Sequence, residues 1–332
     1  MRTSQLPVRN HSMRRRCERM AAVSLVGLSL VAAACGSSTK SSTASTTATT
    51  AQATTTASTA PGAAAPGSTV AKGSGPVSVL YAGSLVDILG KNIGPAFHSA
   101  SGYTFNGFSG GSQEVASQIK GKVRRADVFV SAAPSADLQL EGAANGNWVS
   151  WYADFATSPL LIGYNPKSKF AHQLQTEPWY KVVGQPGFLL GRTDPATDPK
   201  GVLAVTALNR AATTDNEPAL KALATSPSNV FPENTLVGRL QAGQLDAGFF
   251  YSVESTSAKI PTVAIPGPTL AAKYTVTVVN QAPDMAAANA FVTYLLGPTG
   301  SAALKAGGMD LTTPPTVSGT APPALHSVLS GS

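Results

Sequence analysis

Two serines stand in short turns that join an apolar run to a helical pattern. Ser84 follows Ala82 and Gly83 at the end of VSVLY (77–81), and Ser112 follows Gly110 and Gly111 at the end of YTFNGFS (103–109). In such a turn a hydroxyl and nearby backbone N–H groups can converge on one anion, and Gly83 and Gly111, lacking a Cβ, let the backbone come close to it. Each serine is equally a good helix N-cap. A nucleophilic serine would need a base within about 3 Å. Beyond residue 34 the chain has only scattered histidines (His98, His172, His326), with no H-E-x-x-H and no Cys/His spacing of a zinc site. No metal and no cofactor are therefore expected, and a serine-dependent exported enzyme is the least favoured reading. Asp194 and Asp198, each followed by proline in TDPATDPKG, are turn starters by type and carboxylates by chemistry.

The elements that would hold these residues alternate. VSVLY leads through Ser84 to Leu85, Ile88, Leu89 and Ile93 at helical spacing, YTFNGFS leads to QEVASQIKGK (113–122), and ADVFVSA (126–132) leads to ADLQLEGAAN (136–145). Three β-α units predict a parallel sheet whose ligand lies beyond the carboxyl ends of its strands. Further on, 160–164, 188–192, 246–251, 262–265 and 274–279 read as strands, and 202–212, 235–243, 284–297 and the segment after Pro298 as helices. Periodicity allows one large α/β domain or two lobes. Trp148, Trp151 and Tyr152 read as packing anchors.

Charge is placed unevenly. Of 24 Lys and Arg against 17 Asp and Glu, residues 1–34 hold six arginines and one glutamate, which leaves 18 basic against 16 acidic residues. So balanced a remainder argues against nucleic-acid binding. The arginines precede AAVSLVGLSLVAAA (21–34), too short to span a bilayer and of the size of a secretory signal. The run meets Cys35 after three alanines, as in a bacterial lipoprotein leader, so residues 1–34 are expected to be a signal peptide and Cys35 the lipidated residue. The other cysteine, Cys17, lies within that leader, so an exported chain has no internal disulfide. Residues 35–75, almost all Ser, Thr, Ala, Gly and Pro, read as a disordered tether with a reach of about 35 Å.

Five strings, VLYAGSLVDI, SGGSQEVASQI, ADVFVSAAPSAD, GRTDPATDPKG and LQAGQLDAGFFYS, occur in this order. Together they resemble the periplasmic molybdate/tungstate-binding proteins of ABC importers. The resemblance implies a class II periplasmic-binding-protein fold, with lobe one over 76–157 and 261–332, lobe two over 158–260, a two-strand hinge and an oxyanion in the cleft. It implies that Ser84 and Ser112 face the ion from lobe one, and that the Lys200 and Gly201 amides and Tyr251 face it from lobe two; Tyr251 also reads as a core-edge tyrosine with a wet hydroxyl. The Lys200 side chain is expected in solvent. In tungstate-selective relatives an aspartate of this loop and a glutamate beside the tyrosine bind the metal. Here Phe250 falls where that glutamate is expected, which points to a tetrahedral ion held by donors, with Asp198 a further contact and Asp194 in support.

The resulting expectation is a monomeric, lipid-anchored receptor on the outer face of the cytoplasmic membrane, delivering molybdate or tungstate to an ABC permease. Sulfate or phosphate is the alternative cargo, phosphate being kept open by Asp194 and Asp198.

Overall fold

The computed structural model describes residues 70–330; the expected leader, Cys35 and all but the last six residues of the expected tether lie outside them. The strands are β1 (Pro76–Ala82), β2 (Thr104–Gly110), β3 (Val128–Ser131), β4 (Trp151–Tyr164), β5 (Leu190–Gly191), β6 (Ala247–Tyr251), β7 (Thr262–Ala264), β8 (Ala271–Val278) and β9 (Asp310–Gly319). Their order is β2-β1-β3-β8-β4-β6-β5, with β7 and β9 also on β4.

β1 is apolar along most of its length because both of its faces are covered. Val77, Val79 and Tyr81 enter the main core, while Leu80 enters a second cluster with Val115, Ala116, Ile119 and Phe129. Burying each of the larger apolar side chains stabilises the fold by roughly 1.5–3 kcal/mol. β1 runs parallel to β2 and β3. After β1 a single 3-10 turn, Gly83–Leu85, opens a helical stretch that is π-wound over Ile88–Ile93 and α-helical over Gly94–Ser101. After β2 comes the Ser112–Lys120 helix, with Gly111 at its N-cap position. Both serines therefore sit at the carboxyl ends of parallel strands.

Several expected elements differ. The helix expected over 136–145 is only Pro134–Leu138, because Gly142 and Gly146 take positive φ (78° and 92°) on either side of a 3-10 turn. The strand expected over 188–192 contracts to Leu190–Gly191. In contrast, β4 is 14 residues long where only 160–164 reads as strand. Its first half pairs antiparallel with β8 and β9, and residues 160–164 pair antiparallel with β6 and β7. Trp151, the first residue of β4, is buried as a packing anchor.

Asp127 ties down the opposite, amino end of the parallel strands. Its carboxylate accepts from the Ser78 N–H at 2.7 Å and from the Asp284 N–H at 2.8 Å, joining β1 to the start of the Met285–Leu296 helix. No helix among the described residues is long and apolar enough to cross a membrane.

Candidate functional site

The Pro199–Thr214 helix starts from Asp198, whose Oδ1 accepts from the Lys200 N–H at 2.7 Å. The Gly201 N–H donates to the Asp198 carbonyl at 3.0 Å. Both amides expected to face the ligand are thus committed within the first turn, that of Lys200 to the N-cap carboxylate and that of Gly201 to the N-cap backbone carbonyl. The Lys200 side chain departs from expectation too. It is not in solvent: its Nζ is buried, 2.9 Å from Glu233 Oε1 and 2.7 Å from Glu254 Oε1. A cation at a helix N-terminus is disfavoured by the helix dipole, so these carboxylates are what hold it there.

Burial and mutual repulsion set the protonation states. Burial raises the Glu233 carboxyl to about 8 and the Asp198 carboxyl to about 6, in each case against the pull of the Lys200 ammonium. For Lys200, burial lowers the pKa, but Glu233, Glu254 and Asp198 outweigh it and the ammonium is held well above its ordinary value. Burial also pushes the Tyr251 and Tyr274 hydroxyls well up, with the nearby carboxylates adding to the shift. With every group ionised, three carboxylates would surround one ammonium. The cluster therefore favours neutral carboxyl groups, which can donate hydrogen bonds as well as accept them.

The residues after β1 and β2 close over this cluster. The Ser84 hydroxyl lies 2.8 Å from the Tyr274 hydroxyl, and the Tyr274 ring meets the Tyr251 ring edge-on at 6.1 Å. The Ser112 Oγ accepts from the Ala132 N–H at 3.0 Å. Neither serine meets a base, and among the described residues no cluster of His, Cys, Asp and Glu is arranged to hold a metal ion. The two glycines do admit close approach, but of protein atoms. A Cβ at Gly83 would lie 1.5 Å from Glu233 Oε2, and one at Gly111 would lie 2.3 Å from the Thr197 carbonyl oxygen. That carbonyl also accepts from the Glu114 N–H at 3.2 Å. The loop holding Asp198 and the turn holding Ser112 are therefore in direct contact.

Between them lies a cavity of about 250 Å³ lined by Gly111, Thr193, Thr197, Asp198 and Glu233 among others. Glu233 Oε2 and the Tyr251 hydroxyl are buried without a hydrogen-bond partner among the described residues, and buried Asp198 Oδ2 has only the Thr193 hydroxyl beside it. Tyr251 is 1 % exposed, so its hydroxyl is dry where the sequence also allowed a wet one. Asp194 is exposed at the cavity rim, its carboxylate accepting from the Ala196 N–H as a turn former does.

Three members of the cluster are absent from the sequence reading. Glu254 follows Tyr251 by three residues and accepts its N–H at 2.9 Å, an N-terminal pattern readable in YSVE. Glu233 and Tyr274 carry no local signal, since only the folded chain brings them near Lys200 and Ser84. Phe250, where a glutamate was expected, is buried with Leu236, Leu240, Leu245 and Ile260. Carboxyl groups line the cavity: Asp198, which the sequence reading named as a further contact, and Glu233, which it did not.

A cavity at the carboxyl ends of parallel strands, with elements on both halves of β4, belongs to an α/β structure of the class II periplasmic-binding-protein fold. Residues 77–310 match the family of bacterial extracellular solute-binding proteins, and the chain belongs to that family. A solute-binding protein of Petrotoga mobilis is 27 % identical over 280 residues, covering 73 % of this chain and 85 % of the relative. The molybdate/tungstate-binding protein of Pyrococcus abyssi is 23 % identical over 278 residues, covering 68 % and 80 %. Among solved structures, the periplasmic molybdate-binding protein of Azotobacter vinelandii superposes with a TM-score of 0.56 at 20 % identity, over 71 % of this chain and 99 % of that one. The resemblance read from the five strings is thus shared by relatives that cover 68 to 73 % of this chain and are named as solute-binding proteins.

Proposed function

We propose that this protein is the lipid-anchored extracytoplasmic receptor of an ABC importer and that it captures molybdate or tungstate. The observation that carries this reading is the small cavity lined by Gly111, Asp198 and Glu233, where Glu233 Oε2 is buried without a partner, next to the buried and unpartnered Tyr251 hydroxyl of the same cluster. Buried polar atoms are costly unless something completes their hydrogen bonds, and an oxyanion does so. The name of the Pyrococcus abyssi relative supports the choice of ion.

Lobe one is 76–157 with 261–332 and lobe two is 158–260. This division is supported by β4, whose partners change from β8 and β9 to β6 and β7 near Pro159 and Leu160. The receptor acts as a monomer, held to the membrane through Cys35, and passes its ion to a permease. Ser84, Ser112 and Tyr251 donate to the ion, with Asp198 and Glu233 flanking it. The Lys200 and Gly201 amides would join them only if the Asp198 cap opened.

A second reading, a hydrogen-bearing oxyanion such as phosphate, is favoured by one observation: the unpartnered Glu233 Oε2 can accept the ligand's own proton. Sulfate offers no such proton. Native mass spectrometry of the protein offered all four ions, followed by calorimetry on wild type, Ser84→Ala and Ser112→Ala, tests both readings. Molybdate and tungstate are expected to outcompete the others, and at least one serine change to weaken binding by more than about 1 kcal/mol. Preferential retention of phosphate would select the second reading, and retention of none would defeat both.

A further inference from the structure

Four of the 18 Lys and Arg residues beyond position 34 fall within six positions, as Lys120, Lys122, Arg124 and Arg125 in KGKVRR. All six residues are exposed. They form the connection from the Ser112–Lys120 helix to β3, at the amino ends of the parallel strands and so at the opposite end from the Ser84 and Ser112 turns. None of the four cations joins an ion pair among the described residues. Neutral groups hold them instead: Lys120 Nζ is 2.7 Å from Asn145 Oδ1, Arg124 Nε is 2.9 Å from Gln118 Oε1, and the Arg124 guanidinium lies 3.5 Å over the Phe108 ring. Lys122 Nζ is 6.0 Å from the Trp148 ring. Three of the four heads are positioned by these contacts, and the charge of all four is left without an acidic partner.

Two adjoining clefts share Arg124 and Arg125. One, of about 390 Å³, is also lined by Lys122, Trp148 and Gln281, and the other, of about 250 Å³, by Asn106 and Val123. No acidic residue lines either. Val123, between two of the cations, is 73 % exposed.

We propose that this loop is a contact surface for anionic phospholipid headgroups. Its chemistry is that of a juxtamembrane basic segment, in which cations meet phosphates while an apolar residue and a tryptophan enter the interface. Four cations are too few to organise a nucleic acid, where six to ten phosphate contacts are usual, and an exposed valine has no use there. The chain packs onto the body from Val70, with Gly73 and Gly75 bonded to Ser101 and Thr104, and starts β1 at Pro76, at the amino end of the strands and so the same end of the sheet. A surface that holds the N-terminus would therefore meet this loop first. Contact there leaves the solute cavity, at the carboxyl ends, turned to the medium. The proposal does not depend on which oxyanion the cavity takes.

The test is co-sedimentation of the full chain with vesicles of pure phosphatidylcholine and with vesicles containing about one third phosphatidylglycerol. Wild type is compared with a Lys122→Gln, Arg124→Gln, Arg125→Gln variant and with an Arg124→Lys, Arg125→Lys variant. The N-terminal segment is common to every arm, so the ratio of anionic to neutral partitioning isolates the loop. Wild type should prefer anionic vesicles, and at about fivefold per cation the triple variant should lose on the order of 100-fold of that preference. The lysine variant should keep it, because a bilayer reads charge and not the guanidinium fork. Raising salt from about 0.05 to about 0.5 M should abolish it in wild type, a readout that stands even if the triple variant fails to fold. Equal partitioning of wild type between the two vesicles, or an unchanged preference in a folded triple variant, overturns the proposal. So does loss of the preference in the lysine variant together with its displacement by inorganic phosphate at constant ionic strength, which would mark a site for a soluble phosphate.

Discussion

Lys200 decides the character of the site, because one fully buried ammonium stands among Glu233, Glu254 and Asp198. Lys200→Met should cost about 3–5 kcal/mol, the usual result of removing one partner of a buried pair. The loss, measured by urea unfolding, should be greater at pH 8.5 than at pH 5, since Asp198 and Glu233, raised by burial, are neutral at the lower pH. Equal losses at both would show that the carboxyl groups do not titrate with the fold. Asp198 and Glu233 are raised in the folded state, so their contribution to stability is present below the ordinary carboxylate range and is lost as pH rises through about 6 and about 8. The same sign governs ligand capture. An anion should bind more weakly across that window as the two carboxyls ionise, and Glu233→Gln should flatten its upper part. Calorimetric affinities at about pH 6, 7 and 8.5 on wild type and variant would check this, and affinity that climbs with pH would contradict it.

At the level of elements, the turn after β2 and the loop before the Pro199–Thr214 helix touch through an atom that has no room to move. A Cβ at Gly111 would meet a backbone carbonyl at 2.3 Å, whereas one at Gly83 would meet the end of the Glu233 side chain, which can turn away. Gly111→Ala should therefore hold the two elements apart and weaken oxyanion binding at least about tenfold, roughly 1.4 kcal/mol, with little change in thermal unfolding. Gly83→Ala should instead loosen Glu233 from Lys200. If Gly111→Ala binds as wild type does, the contact does not govern closure. Elements were legible where periodicity and turns agreed, as in β1, β2, β3, β6 and the Ser112–Lys120 and Met285–Leu296 helices. β9 was not, because Pro314 and Pro315 speak against a strand. The structure tolerates them where the pairing of β9 with β4 shifts register between Asp154 and Ala156, on a strand that pairs only on one side. The first half of β4 was missed because Asp154, Ser158 and Pro159 interrupt its apolar alternation, though Ser158 is buried, with its hydroxyl 2.7 Å from that of Ser252.

For the whole molecule, the expected anchor is tested at Cys35, outside the described residues: Cys35→Ala should release the protein from membranes or leave it unprocessed. Wild type that is soluble and begins at another residue would exclude lipidation there. If the basic loop also holds the membrane, release should be complete only at high salt. Composition and periodicity by themselves determined the low-complexity segment, the α/β class and the serine turns, since each of these is local and is written in neighbouring residues. The ordered strings carried the family. What only the tertiary structure decided is how the cavity is built. Lys200 left solvent for the interior, its amide and that of Gly201 went to Asp198, and Glu233 and Tyr274 joined residues 33 and 190 positions away. Such partnerships depend on which buried charge lies within reach of which other, and that is set by chain crossings between distant segments that no local pattern records.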